Sequence, residues 1–404
     1  MRVLQLGFIP LEKGGDSAGG IATHVWELSR ALCHEGHQVE VFALNRRDPD
    51  LAGDGIRVHH FPAGAEALSY PFRQAPRPAI FRAGSAPGGL WLKGLGKAYW
   101  VDRVLRKSEP DIIHSHLPSF FFVPVARALG WQGPVVLTIH SVHDLTHNPS
   151  ADPRNLGRVK ALFQANLLLS DALITVHLHV MEEAARLGLR WQAPVRTVIN
   201  AVDASGFSVM PRERARQELG LAPGGRLILF SGIMTGRKGE QELISAMPLM
   251  KSEASLLMLG YGPAEAEARA LIQKLGLGGR VSVPGPVARD RMVYYYNAAD
   301  LFALPSHSEG FALSYMESAL CGTPYLADKG IPEELRSGVV SVLVDSRDPA
   351  DIARGLDQAL AREWDREAIA GFGAGFAWGP GKVREYLEVY ELASDRARSR
   401  RDHP

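Results

Sequence analysis

"RVLQLGFIPLEKGGDSAGGIATHVWELSRALCHEGHQVEVFA", residues Arg2–Ala43, carries the pattern on which the fold turns. Val3 to Gly7 is a short apolar run closed by turn residues, which predicts a buried strand. Ile21, Val25, Leu28 and Leu32 then recur at helical spacing, and Gly36 supplies a stop signal. Val39 to Ala43 reads as the next strand. Strand, helix and strand in this order are a βαβ opening, and such units build parallel sheets.

The pattern recurs. Asp111 to His114, Val135 to His140 and Leu173 to Val176 are short apolar strands separated by helical or loop segments, and the first domain is expected to run over residues 1–204. A second alternating set starts at Leu227 to Ser231. It continues with Leu256 to Leu259, Val281 to Val283, Leu301 to Leu304, Pro324 to Ala327 and Ser341 to Val344. The expectation is an α/β chain of two Rossmann-like, doubly wound parallel-sheet domains, the second over 205–383, facing a central cleft at the carboxyl ends of their strands. A chain of 404 residues is too long for one core and accommodates two. The last dozen residues are polar and are expected to fray.

Composition excludes several function classes. With 45 Lys+Arg against 44 Asp+Glu the net charge is +1, so no global field draws the chain to nucleic acid. Cys33 and Cys321, one in each half, form no disulfide framework and point to a reducing, cytoplasmic setting. The apolar stretch Leu117 to Leu129 contains two prolines and an arginine and falls short of the roughly 20 residues of a membrane span. Residues 70–107 break the balance, with Arg73, Arg77, Arg82, Lys93, Lys97, Arg103, Arg106 and Lys107 against the single acid Asp102. Phe72, Phe81, Trp91, Tyr99 and Trp100 are interleaved. A solvated insertion with inward aromatics is the favoured reading of this segment; peripheral contact with the inner face of an anionic membrane is the sharper one.

"HSEGFALSYMESALCGTP", His307–Pro324, carries the chemistry. It follows an apolar strand, and a helix is expected to start near Gly310 and to carry Leu313, Met316, Glu317 and Leu320. A helix start offers unpaired N–H groups and a partial positive charge, so it favours an anion such as a diphosphate, and Gly310 lets backbone approach closely. A carboxylate beside an anion site is misplaced unless hydroxyls donate to it, and a sugar supplies them. Glu317 lies about 12 Å along the helix from Glu309, the span from a hexose through a diphosphate to a ribose. Glu309 is thus expected on hexose hydroxyls and Glu317 on a ribose diol, against the plainer alternative of a capping turn and a surface carboxylate.

The same stretch resembles the Glu-x7-Glu signature of retaining glycosyltransferases of family 4, which have the two-domain GT-B fold. "GGIATHVWELSRALCHEGHQVEVF", "DIIHSH", "VVLTIHSVHD", "VINAVD", "GRKGEQELISA", "LLMLGYGP" and "ADLFALPS" resemble successive blocks of that family in order, and "FAWGPGKVREYLEVY" resembles its closing helix, which crosses back to the first domain. That helix and tail are assigned to 384–404. The resemblance implies that Gly19 and Gly20 approach the donor diphosphate, that His140 lies beside the transferred sugar, and that Lys238 with Arg237 neutralises the leaving diphosphate. Glu309, Gly310, Phe311, Ala312, Leu313 and Glu317 complete the implied nucleotide-sugar site. It further implies a nucleotide-sugar donor, a glycan, lipid-linked or small-molecule acceptor, and no metal or other cofactor.

Three positions depart from the family pattern. Ile233 stands where the family places a phosphate-binding arginine, Asn200-Ala201 replaces Asn-Gly, and Ala312 replaces a glycine. The first removes half of the expected cationic clamp, which keeps open a catalytically weak nucleotide-sugar-binding subunit. A non-hydrolysing nucleotide-sugar 2-epimerase is the rival within the fold.

Other signals are weaker. His114, His116, His140 and His143 invite a metal, but cysteine partners and a His-Glu-x-x-His motif are missing, so none is expected. "KGGDSAGGI" lacks a Gly-Lys-Ser/Thr ending, which disfavours a Walker phosphate loop. Tyr325 and Lys329 have the spacing of a dehydrogenase acid/base couple but lie far from any dinucleotide fingerprint, and are read as coincidence.

Overall fold

The computed structural model describes residues 1–10, 13, 19–43, 54–60, 89–142, 145, 153–177, 179–307 and 311–402. Most of the basic segment 70–107, together with His143, Glu309 and Gly310, lies outside the described residues or outside those whose side chains are described. The chain divides into two compact units, Met1–Ile199 with Gly379–Pro404, and Asn200–Trp378. The expected boundaries at 204 and 383 therefore each move back by about five residues, and the C-terminal helix belongs to the first unit.

Unit 1 holds a seven-stranded parallel sheet. Its strands are β1 (Arg2–Gly7), β2 (Gln38–Ala43), β3 (Arg57–His60), β4 (Ile112–Ser115), β5 (Val135–Ile139), β6 (Ala172–Thr175) and β7 (Val195–Thr197), in the order β3-β2-β1-β4-β5-β6-β7. β1 pairs with β2 from Arg2↔Gln38 and with β4 from Val3↔Ile112. The interior strands β1, β4 and β5 are buried on both faces and mostly apolar, with Gln5, His114, Ser115 and Thr138 as buried polar exceptions. Helix Gly20–His34 lies so close to β1 that a side chain on Gly7 would meet Val25 at 2.7 Å.

Unit 2 holds a six-stranded parallel sheet of β8 (Leu227–Ser231), β9 (Ser255–Leu259), β10 (Val281–Gly285), β11 (Leu301–Leu304), β12 (Tyr325–Asp328) and β13 (Ser341–Val344), in the order β10-β9-β8-β11-β12-β13. Both sheets thus reverse strand order once, between β1 and β4 and between β8 and β11, as doubly wound sheets do.

Two strands and one helix differ from expectation. β3 and β7 are edge strands of four and three residues with few apolar side chains, so nothing in their composition marks them. The C-terminal segment does not fray, because helix Pro380–Asp402 runs through it. Val383, Tyr386, Tyr390, Ala393 and Ala397 bury one face at spacings of three and four, and Arg400 pairs with the fully buried Asp171. Two of those five residues are alanines, which leaves the apolar stripe faint in a polar text. Among the described residues no helix is long and apolar enough to cross a membrane.

Candidate functional site

In an open α/β sheet, ligands collect beyond the carboxyl ends of the strands where the order reverses. In unit 2 that place is built from three loops joined backbone to backbone. The loop after β8 turns through Gly236 and Gly239, at φ of 79° and 75°. The Arg237 carbonyl at its tip accepts from the His307 amide at 2.8 Å and from the Ser306 hydroxyl at 3.0 Å, both in the loop after β11. The loop after β9 joins through the Gly232 amide to the Leu259 carbonyl at 3.1 Å and the Met234 amide to the Tyr261 carbonyl at 2.8 Å. Glycines permit this proximity: a Cβ on Gly239 would lie 2.0 Å from the Pro305 carbonyl oxygen, and one on Gly260 would lie 1.9 Å from that of Gly232.

Glu240 braces the first loop from within. Its carboxylate is buried and accepts from the amides of Thr235 at 2.7 Å and Gly236 at 3.3 Å. Burial nonetheless raises its pKa, because the amides and nearby Lys238 offset only part of the lost hydration. Lys238 extends across Gly232, its Cε 3.9 Å from where a Cβ on that glycine would sit. Helix Leu313–Leu320 begins after Ala312, an N-cap residue in extended conformation whose methyl side chain offers no acceptor to the first-turn N–H groups. The helix therefore starts three residues later than the expected Gly310.

Phe311, Ala312 and Leu313 are buried around this helix start, with Phe311 against the Phe376 ring at 5.9 Å. Glu317, on the same helix, is neither surface-exposed nor free: Oε1 accepts from Arg289 Nη1 at 2.6 Å and Oε2 from the Tyr296 hydroxyl at 2.9 Å. Burial, and then the Glu317 charge, pushes the Tyr296 phenol well up. A ribose diol at Glu317 would have to use lone pairs that these two groups leave over. Tyr325 is a core residue whose hydroxyl donates to the Leu335 carbonyl, and Lys329 pairs with Asp345 at 3.3 Å, so the two form no acid/base couple.

In unit 1 the corresponding strand ends bring four histidines together. His140 directly follows β5, and its Nε2 lies 3.2 Å from Nδ1 of His116, which directly follows β4. His116 Nε2 lies 2.7 Å from Gln5 Oε1 in β1. His114 spans Tyr390 of the C-terminal helix at 2.8 Å and Thr138 at 2.7 Å. His24, from helix Gly20–His34, places its ring 5.0 Å from that of His140 and 5.4 Å from that of His116. Burial holds His140 down to about 4 and His114 to about 3, and His24 and His116 are also held well below the ordinary 6.5. These imidazoles are therefore neutral at pH 7 and act as hydrogen-bonding groups rather than charges. Gly19 caps helix Gly20–His34 in an extended conformation, and a Cβ on Gly20 would meet nothing within 4 Å, so packing does not demand glycine there.

Sequence reasoning missed Glu240, His24, Gln5, Arg289 and Tyr296. His24 sits inside a helix between Thr23 and Val25, and Glu240 follows the loop it braces, so neither shows a spacing that betrays its partner.

Residues 18–205 match the description Glycosyltransferase Family 4, and residues 211–373 match Glycosyl transferases group 1. The D-inositol 3-phosphate glycosyltransferase of Xylanimonas cellulosilytica is 32% identical over 421 residues, which cover 97% of this chain and 96% of the relative. This chain belongs to glycosyltransferase family 4. Sucrose-phosphate synthase from Thermosynechococcus elongatus superposes with a TM-score of 0.75 at 22% identity, covering 97% of this chain and 98% of that one. Anabaena HepE in complex with UDP-glucose gives 0.65 at 18%, covering 99% of each. These likenesses establish the GT-B fold. The two family matches of this glycosyltransferase also meet between 205 and 211, close to where its units divide.

Proposed function

We propose that this glycosyltransferase moves a sugar from a nucleoside-diphosphate sugar to an acceptor hydroxyl, with retention of anomeric configuration and without a required metal or other cofactor. The observation that carries the donor half is the clasp of three strand-end loops in unit 2, with Lys238 lying across Gly232, and the helix that follows β11 starts at an alanine N-cap. Departure of a nucleoside diphosphate builds negative charge on phosphate oxygens, and a fixed cation with preorganised amides stabilises that charge. Arg237 lies next to Lys238 and would compensate in part for Ile233. Glu309 and Gly310 would hold the hexose hydroxyls and the approach of the diphosphate, and Gly19 and Gly20 would receive the diphosphate from unit 1. His140, neutral, would hydrogen-bond the transferred sugar.

Membership of the family supports retention: the leaving phosphate would accept the acceptor's proton on the face it departs from, with no protein nucleophile. The name of the Xylanimonas relative makes a small phosphorylated polyol the acceptor class to try first. The cytoplasm, where two unpaired cysteines stay reduced, is the proposed setting.

The test is a matrix of UDP-, GDP-, ADP- and dTDP-sugars against inositol phosphates and other acceptors in the presence of chelator. Nucleotide release would be followed, together with the anomeric proton coupling of the product. An α-linked product from an α-linked donor is expected. Inversion, or strict dependence on added metal, would overturn the mechanism, and epimerised sugar with no glycoside formed would overturn the activity.

A further inference from the structure

We propose that His24, His116 and His140 form a three-histidine site for a zinc-like divalent cation in unit 1. The site stands on geometry alone; only its effect on transfer rests on the role proposed for His140. The three side chains arrive from different elements, a helix and the ends of β4 and β5, and one ring nitrogen from each lies within 4.8 Å of the others. Zinc takes imidazole nitrogens at about 2.0–2.1 Å in a tetrahedron, which sets neighbouring nitrogens about 3.3 Å apart. His116 Nδ1 and His140 Nε2 are already 3.2 Å apart, so an ion would replace the proton they share.

The remaining contacts choose the ligands. His116 donates its other N–H, at Nε2, to Gln5 Oε1 at 2.7 Å, which leaves the Nδ1 lone pair for a metal. The Gln5 amide is oriented in turn by donating to the Tyr390 hydroxyl at 3.4 Å. An oxygen acceptor behind a histidine is the usual outer support of a metal ligand. His114, though adjacent, has both nitrogens engaged by Tyr390 and Thr138 and is not a ligand. All three ligands are buried, and burial favours the neutral imidazoles a metal requires. Three protein ligands leave a fourth position for water. To bind, neutral His140 must shift its single proton, the one now shared with His116, from Nε2 to Nδ1, so a loaded site withdraws that residue from hydrogen bonding at Nε2.

The experiment uses the full chain stripped with chelator and titrated with Co²⁺, followed by Zn²⁺ displacement and metal analysis after dialysis. One equivalent of Co²⁺ with the visible bands of a tetrahedral site, displaced by one Zn²⁺, is expected. His24→Gln and His116→Gln should each abolish stoichiometric binding, and Gln5→Ala should weaken it about 10- to 100-fold. The exposed His34→Gln should leave it unchanged. Circular dichroism and melting of each variant separate loss of a ligand from loss of fold. Absence of binding at tens of micromolar metal, or equal binding by folded His24→Gln and His116→Gln chains, would overturn the site. Zinc should also inhibit transfer, reversibly by chelator. A loaded chain with undiminished transfer would instead overturn the role given to His140.

Discussion

Lys238 and Glu240 stand two residues apart and serve the same loop in different ways. Glu240 shapes it from inside by holding two amides, and Lys238 projects from it across Gly232. Lys238→Ala should therefore raise the donor KM and lower kcat by about 100-fold, since the charge it meets grows in the transition state, while the melting temperature stays put. Steady-state kinetics with melting curves check this, and a change in KM alone would reduce Lys238 to a ground-state contact. Glu240→Ala should act through stability, since two loop amides lose their acceptor at a cost of about 1–3 kcal/mol, read as a lower urea midpoint. For Glu309, outside the described residues, Glu309→Ala should cut turnover by orders of magnitude and barely move the melting temperature, because a replaceable cap is worth only about 1 kcal/mol. Unchanged turnover in that variant would remove Glu309 from the site. Of these residues, the motif names Lys238 and Glu309 as candidates, whereas it does not announce Glu240, whose partners are backbone amides that no side-chain spacing betrays.

At the level of elements, the strand-end loops of unit 2 are held by main chain, so glycine is the residue that decides whether they close. Gly239 and Gly236 share a left-handed backbone, at φ of 75° and 79°, but only Gly239 has a neighbour, the Pro305 carbonyl, that a Cβ would strike. Both alanine variants incur about 1–2 kcal/mol for the left-handed backbone. Gly239→Ala must in addition push the loop after β11 away. Its donor KM and urea midpoint should therefore suffer more than those of Gly236→Ala, and equal losses would show that the clasp has no part in binding. The interior strands β1, β4, β5, β8 and β11 were legible because their short runs are mostly apolar, as burial on both faces favours, with Gln5, His114, Ser115 and Thr138 as buried polar exceptions. The edges β3 and β7 were not, because an edge strand is paired on one side and tolerates polar residues such as Arg57 and Arg196. The C-terminal helix is hard to read beyond Tyr390 for a related reason: its outward charges outnumber the two alanines that pack.

For the molecule as a whole, histidine is distributed unequally, and this predicts which half fails in acid. Unit 2 contains one histidine, the partly exposed His307, whereas unit 1 buries His24, His114, His116 and His140 together. Burial lowers all four below the ordinary 6.5, with His140 at about 4. Above pH 6.5 neither the folded nor the unfolded chain protonates them, and they contribute nothing to pH dependence. Below it the unfolded chain takes up protons that the folded unit refuses, so stability falls as pH falls, on the order of 1 kcal/mol per pH unit for each group until its folded pKa is reached. Amide hydrogen exchange at pH 7.5 and 5.0, corrected for intrinsic rates, should show lost protection in β1, β4 and β5 and little change in β8 and β11. Equal loss in both sheets, or none in unit 1, would mean that the histidine cluster takes up protons without unfolding, through water reaching its rings.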